Sequence, residues 1–442
     1  MKQRSGFLYW VFPAMLGVMA LTSLLSGRDL SKNFLDLMDG GGTVHPLVPW
    51  AQRVVSIILL AASGERIMSH FALHKPMPSP ILTITFIGYW FTTVVTSALF
   101  GSHPEISHEY LYPLILGCAG LLATAAERDR IIEATRTALF WLLLAGVLLI
   151  PVIPTVVLDV SYKQGLIPGL PRFGGLAPHP VAMGTFAQLA LLCLWVRPFR
   201  HRWLNVIAWI LGLGVLFIAQ SKTAWISFLL CAICLLVVRR GPAMWRRLGD
   251  PRESLYGIVV CLSAIVVALS LLGVVLFANL GAQVEDFTDS AEGAQLISLT
   301  GRDQIWAVAR EEWHENPVFG YGPSLWDDAF RRSIAMPNAT SAHNQFLDTA
   351  ARSGTVGAVG LVIYAFVLMV MSIRYARATG GFSLALFVSL ALLSISEVPL
   401  ILFGYGTELL AHLLLVITLA SAAASRVPAT RTQPRPAYRT VP

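Results

Sequence analysis

Residues 354–373 read GTVGAVGLVIYAFVLMVMSI, twenty positions without a charge that end against Arg374. At a rise of ~1.5 Å per residue, such a run reaches about 30 Å as a helix, the thickness of a bilayer's hydrocarbon core. A membrane strand would alternate polar and apolar residues, which this run does not. Working outward, comparable runs begin near Phe7, Leu47, Ile81, Tyr110, Thr137, Val181, Trp203, Ala224 and Leu255, then near Phe382 and Gly404. The chain therefore reads as all-α, a polytopic membrane protein of about 12 transmembrane helices. Composition agrees, since 55% of the 442 residues are hydrophobic and only 13% are charged. A soluble domain of this size does not show that balance.

Lys2 and Arg4 precede the first run as in a signal peptide, but the run continues to Leu25 with no small-residue cleavage site close behind. It reads as an uncleaved first helix. With the N-terminus in the cytoplasm, Arg66, Arg128, Arg130, Arg136, Arg197, Arg239 and Arg374 all fall in cytoplasmic connections, as does the tail from Arg426. That is the positive-inside pattern, and it predicts both termini in the cytoplasm. The net charge of +7 does not indicate nucleic acid, because the cations flank spans and never gather beside stacking aromatics. Cys118, Cys193, Cys231, Cys234 and Cys261 all sit in apolar runs, so Cys231 and Cys234, although spaced C-x-x-C, read as packing residues and not as a metal or redox site.

The predicted organisation is a membrane domain with nine spans over 1–278, a periplasmic loop subdomain over 279–353, three further spans over 354–424 and a cytoplasmic tail over 425–442. The loop carries eleven Asp or Glu against five Lys or Arg, and a connection this long in a compact protein is usually functional. Within it, Thr300 and Asp303 have capping-box-like spacing ahead of Ile305, Trp306, Ala309 and Trp313, a helical face that Pro317 ends. This predicts a helix lying on the bilayer with two interfacial tryptophans. Residues 319–323, FGYGP, read as a hinge, Ser324 as the start of a short helix with Trp326 and Phe330 on one side, and Ser341 as the start of a third helix running toward Gly354.

Several residues could carry chemistry. His343 begins that third helix and titrates near neutral pH, though a solvated loop histidine would look the same. Arg302 stands among carboxylates and could simply pair with Asp303 or another loop acid. Arg172 and His179 lie in RFGGLAPHP, residues 172–180, whose glycines permit close backbone approach to a ligand. Lys222 interrupts two apolar runs, where a retained charge is a functional candidate even though lysine snorkels cheaply. Arg53, Glu397 and Glu408 fall within spans, and pairing of Arg53 with one of the glutamates is the simplest account. An outer-face histidine with three cations suits a diphosphate leaving group and an attacking sugar hydroxyl: the cations meet the developing negative charge and the histidine takes the proton.

Thr300-Gly301-Arg302 with Trp306, then residues 316–322 (NPVFGYG), then Ala342-His343-Asn344 and Gly354 resemble the signature loop of the O-antigen ligase and polymerase superfamily. The resemblance implies a GT-C-like glycosyltransferase that uses undecaprenyl diphosphate-linked glycan on the periplasmic side and inverts the anomeric centre without a metal or other cofactor. It implies His343 as the base and Arg302 as a diphosphate ligand. Arg172 with Gly175, His179 and Pro180 resembles the family's arginine-glycine-histidine-proline stretch, which makes Arg172 diphosphate-binding and leaves His179 structural. Lys222 follows Ser221 where ligases of the superfamily usually present arginine, keeping the charge and losing the planar fork. Ser221-Lys222-Thr223 and Gly320-Tyr321-Gly322 with Trp326 look more similar to the exopolysaccharide polymerase branch, of the succinoglycan type.

The leading expectation is thus a polymerase joining lipid-linked repeat units. A ligase with a lipid A-core acceptor is the alternative within the same chemistry. Chain-length regulator and export proteins are the implied partners beside the bilayer. A lipid-linked oligosaccharide flippase would also explain the spans, but not a folded outer loop with a base histidine, and no internal repeat is visible.

Overall fold

The computed structural model describes residues 6–31, 45–160, 169–248, 302–336, 339–403 and 409–425. The expected span from Leu255, together with Cys261, Thr300, Gly301, Glu408 and the tail from Arg426, lies outside these described residues. Among the described residues, eight helices of eleven residues or more lead up to the loop: α1 (Leu8–Leu25), α2 (Leu47–Ala72), α3 (Pro80–Phe100), α4 (Leu111–Leu121), α5 (Ala125–Leu148), α6 (Pro180–Val196), α7 (Arg202–Ile218) and α8 (Lys222–Leu248). Within it lie α9 (Arg302–Glu315), α10 (Asp328–Ser333) and the first turns of α11 (Gln345–Arg374), and after it come α12 (Phe382–Ser396) and α13 (Leu409–Ala424). The only strands among the described residues are the two-residue pair β1 (Leu158–Asp159) and β2 (Arg172–Phe173). The protein is an all-α polytopic membrane protein.

Among the described residues, six helices are long and apolar enough to cross a membrane: α1, α2, α3, α5, most of α8, and α11. The apolar helices α6, α7, α12 and α13 have 15 to 17 residues, which at ~1.5 Å per residue falls short of a full crossing. Nearly all of α13 and most of α6 are buried within the bundle. A helix wrapped by other helices is apolar all round for the same reason as one wrapped by lipid. α5 starts earlier than the apolar run at Thr137, because Thr124 and Glu127 form a capping box and Arg66 grips the Glu127 carboxylate with both nitrogens at 2.8 and 2.9 Å.

Small residues bring α3 and α11 together. α3 contains a π-helical turn at Phe91–Val95, and a Cβ on Gly360 would lie 1.9 Å from Thr92 Oγ1. Polar side chains join further helices: Gln188 Nε2 donates to Ser227 Oγ (2.6 Å) and Ser389 Oγ (3.0 Å), and Tyr364 shares a 2.7 Å hydrogen bond with His412 Nε2. Cys231 donates to the Ala385 carbonyl.

The loop of residues 279–353 differs in detail, over its described residues, from its sequence reading. The short helix is α10, capped by Asp327 accepting from Phe330 N at 2.7 Å, and not one opened by Ser324. The third helix starts at Gln345 behind the cap Asn344 and runs without a gap into the membrane helix, the two forming α11 with a break at Gly354 (φ 61°, ψ −163°). That break frees carbonyls: Tyr321 N donates to Ala351 O (2.8 Å) and Gly322 N to Arg352 O (3.0 Å), while Thr355 N donates to Pro317 O (2.8 Å). The hinge thus laces into the broken turn of α11. Both contact glycines are at positive φ, and a Cβ on Gly354 would lie 2.2 Å from the Val318 carbonyl oxygen. Gly354→Ala is expected to cost at least ~1–3 kcal/mol through this strain alone, read as a fall in thermal midpoint of the detergent-solubilised protein.

On α9, burial and the neighbouring Glu315 and Glu311 raise the Glu312 carboxyl to about 7, from an ordinary 4.5. The folded chain therefore favours protonated Glu312. That contribution is complete below pH 4.5 and is lost as pH rises through about 7. Glu312→Gln is expected to raise the midpoint at pH 8 and leave it nearly unchanged at pH 5; a shift of equal size at both would refute the carboxylate's role.

Candidate active site

His343 stands at the tip of a turn that three neighbours hold. Its own φ is +47°, a conformation that needs support in a residue with a Cβ. Trp306 Nε1 donates to the Ala342 carbonyl at 2.9 Å, so this tryptophan fixes the turn and is not merely an interfacial anchor. Asp348 Oδ1 accepts from Ala342 N at 2.9 Å, and Asn344 Oδ1 accepts from Leu347 N at 3.0 Å. Asp348 Oδ2 in turn accepts from Arg352 Nε at 2.8 Å, and Arg352 Nη1 donates to Pro323 O at 2.7 Å. This ion pair is buried, its side chains 2% and 8% exposed. One pair therefore clamps the FGYGP hinge and the histidine turn together.

The ring of His343 meets Glu397, which caps the end of α12. Nδ1 lies 2.9 Å from Glu397 Oε2, and Arg302 Nη2 lies 3.7 Å from the other carboxylate oxygen. Burial opposes charge on Glu397, but the hydrogen bond from His343 and the positive potential of His343, His179 and Arg302 outweigh it, holding its carboxyl below the usual range. A carboxylate accepts only, so Nδ1 carries the proton that it donates, and in the neutral form of the ring Nε2 presents a lone pair. Of the two glutamates expected as partners of Arg53, Glu397 pairs with His343 and Arg302 instead, and Glu408 lies outside the described residues. Arg53 is exposed on α2 beside the Trp50 ring at 5.8 Å, because Glu397 lies beyond the helical end of its span, where His343 and Arg302 reach it. Among the described residues, Arg302 correspondingly takes Glu397 as its partner and not a loop acid.

Loop 398–403 is fastened to the same turn. Gln345 Oε1 accepts from Leu400 N at 2.8 Å and Tyr89 Oη donates to Leu400 O at 2.9 Å. Beneath the histidine opens a cavity of about 280 Å³, with His179, Thr185, His343 and Glu397 on its walls and Phe186 and Leu410 among its apolar lining. His179 is the N-cap of α6, its Nδ1 accepting from Ala182 N at 3.3 Å, so it does a structural job and also faces the cavity.

Arg172 and Lys222 stand on two loops that are tied to each other. Arg172 Nε donates to the Ala219 carbonyl at 2.9 Å and Gln220 Nε2 to Leu170 O at 3.0 Å. Lys222 is exposed at the first turn of α8, and its neighbour Thr223 meets Ser396, the residue before Glu397, Oγ1 to Oγ at 3.3 Å. The four expected site residues thus fall into a direct cluster, His343 and Arg302 through Glu397, and an adjoining ledge with Arg172 and Lys222. Sequence reasoning missed Asp348 and Arg352, whose i, i+4 spacing on an otherwise apolar helix was the available signal. It saw Glu397 but did not foresee His343 and Arg302 as its partners.

Residues 206–362 match the model of the family described as O-antigen ligase. No curated protein matches the chain. The matched segment contains Lys222, Arg302, His343, Asp348 and Arg352, and it ends before Glu397. Over this segment, with the all-α membrane fold around it, the chain is similar to the O-antigen ligase family.

Proposed function

We propose that the protein is a metal-independent inverting glycosyltransferase that takes glycan from undecaprenyl diphosphate on the periplasmic side and polymerises exopolysaccharide or O-antigen repeat units. The observation that carries this is the chain of contacts Arg302–Glu397–His343 above an apolar cavity. Ionised Glu397 orients the imidazole and offsets the charge it acquires, leaving Nε2 to receive the proton of the acceptor hydroxyl. The acceptor oxygen forms a bond to the anomeric carbon from the face opposite the diphosphate, and the bond from that carbon to the diphosphate oxygen breaks. The diphosphate leaves with the bonding electrons, and Arg302, Lys222 and Arg172 meet its charge. At 3.7 Å from Glu397, Arg302 is beyond good hydrogen-bond distance and keeps donors for the phosphates. The apolar floor of the cavity suits the first isoprene units of the carrier.

Lys222 in place of arginine and the Gly320-Tyr321-Gly322 hinge favour the exopolysaccharide polymerase branch. A ligase with a lipid A-core acceptor uses the same groups and differs only in the hydroxyl admitted. The test is reconstitution of the purified protein with undecaprenyl diphosphate-linked repeat units from its host, without lipid A-core. A ladder of lengthening glycans supports the polymerase. Product only after lipid A-core is added makes the protein a ligase, and no product with either overturns the proposal.

A further inference from the structure

We propose that the end of the bundle opposite His343 holds a binding site for a phosphate-bearing anion, either the phosphodiester of an anionic phospholipid headgroup or free phosphate. A cavity of about 310 Å³ opens there between the start of α5, the ends of α6 and α8, and the loop leading into α12. Arg128, Arg197 and Arg239 line it, with Asp129, Thr379 and Gly380.

Charge in this cavity is unbalanced. Asp129 is shared by two guanidinium groups, Arg197 in close contact and Arg128 at 3.5 Å. Arg239 has no carboxylate partner among the described residues. Its Nε donates to Gly380 O at 2.8 Å and its Nη1 to Trp195 O at 3.2 Å, and carbonyl dipoles orient a cation without neutralising it. Three cations thus face one anion around a space large enough for a headgroup. Arginines that merely flank spans would be expected to diverge into water, where their repulsion is screened.

The walls are also fixed. Arg136 stacks on the Phe199 ring at 3.8 Å and donates to the Arg197 carbonyl, which holds that segment in place. Gly380 and Gly381 lie at φ 59° and 89°, and the Arg239 guanidinium lies against Gly380, with Nε and Nη2 each 3.5 Å from where a Cβ would be. Gly381 caps α12 without a side chain, so the positive end of that helix adds to the field. Preplaced guanidinium forks beside a helix N-terminus at the membrane end are what recognition of a phosphate group uses.

The test uses the full-length protein, freed of lipid by detergent exchange, with binding followed by native mass spectrometry and thermal midpoint. Dioleoylphosphatidylglycerol, dioleoylphosphatidylcholine and inorganic phosphate serve as separate probes. Phosphatidylglycerol is expected to bind at least about 10-fold more tightly than phosphatidylcholine, and Arg239→Gln to weaken it by about 10-fold, the value of a charge-assisted hydrogen bond. Asp129→Asn is expected to tighten binding, because it removes the competing anion. Binding of phosphatidylglycerol that depends on Arg239 assigns the headgroup, and binding of inorganic phosphate alone with the same dependence assigns a soluble anion. Neither probe binding, or anion affinity unchanged in Arg239→Gln and lowered in Asp129→Asn, overturns the proposal.

Discussion

Replacing His343 by alanine is expected to lower glycan transfer by ~10²–10⁴-fold, the usual cost of losing a general base, while the protein still inserts and keeps its thermal midpoint. The stability half of this expectation comes from the turn. Trp306, Asp348 and Asn344 hold it through main-chain atoms of Ala342 and Leu347, none of which the substitution removes. Glu397→Gln distinguishes the roles further. An amide oxygen can still accept from Nδ1, so orientation survives while charge compensation is lost, and a smaller fall than for His343→Ala is expected. The measurement is ladder formation from lipid-linked repeat units in proteoliposomes. Full activity in His343→Ala would remove the base from the mechanism.

Asp348→Ala is expected to have the largest effect on stability, about 3–5 kcal/mol, because it leaves Arg352 charged, buried and without its carboxylate. The same change releases Ala342 N, and through it the histidine turn, so transfer should fall together with the unfolding midpoint. Removing both charges, as Asp348→Leu with Arg352→Met, is expected to recover much of the stability, since the desolvation cost of the pair disappears with it. Transfer should stay impaired in the double variant, because the hinge at Pro323 and the turn at Ala342 lose their common clamp. Denaturant or thermal unfolding in detergent measures the first quantity and ladder formation the second. Single variants as stable as the parent would show that the pair holds nothing together.

The candidate site was only partly visible in one dimension. His343, Arg302, Arg172 and Lys222 could be singled out because each stands in a motif that resembles one of the superfamily's, and Lys222 also interrupts two apolar runs. Glu397 was equally visible but its pairing with His343 was not, since their distance along the chain says nothing of their 2.9 Å approach. The hinge glycines were legible as a hinge, but their purpose was not. Gly320 and Gly354 allow two backbones to touch, and one of them is a helix that has to break for the contact to form.

Apolar run length by itself determined the all-α membrane class and the approximate position of the described helices, because lipid and a helical backbone jointly demand about 20 uncharged residues per crossing. Tertiary structure alone decided which apolar helices are enclosed by others, as α6 and α13 are, since lipid and neighbouring side chains are equally apolar and leave the same mark on a sequence. It also decided the partners of the charges. Coulomb attraction and hydrogen bonding act over a few ångströms of space, and the separations from Arg302 to Glu397 and from Arg128 to Arg239 are set by how the helices pack.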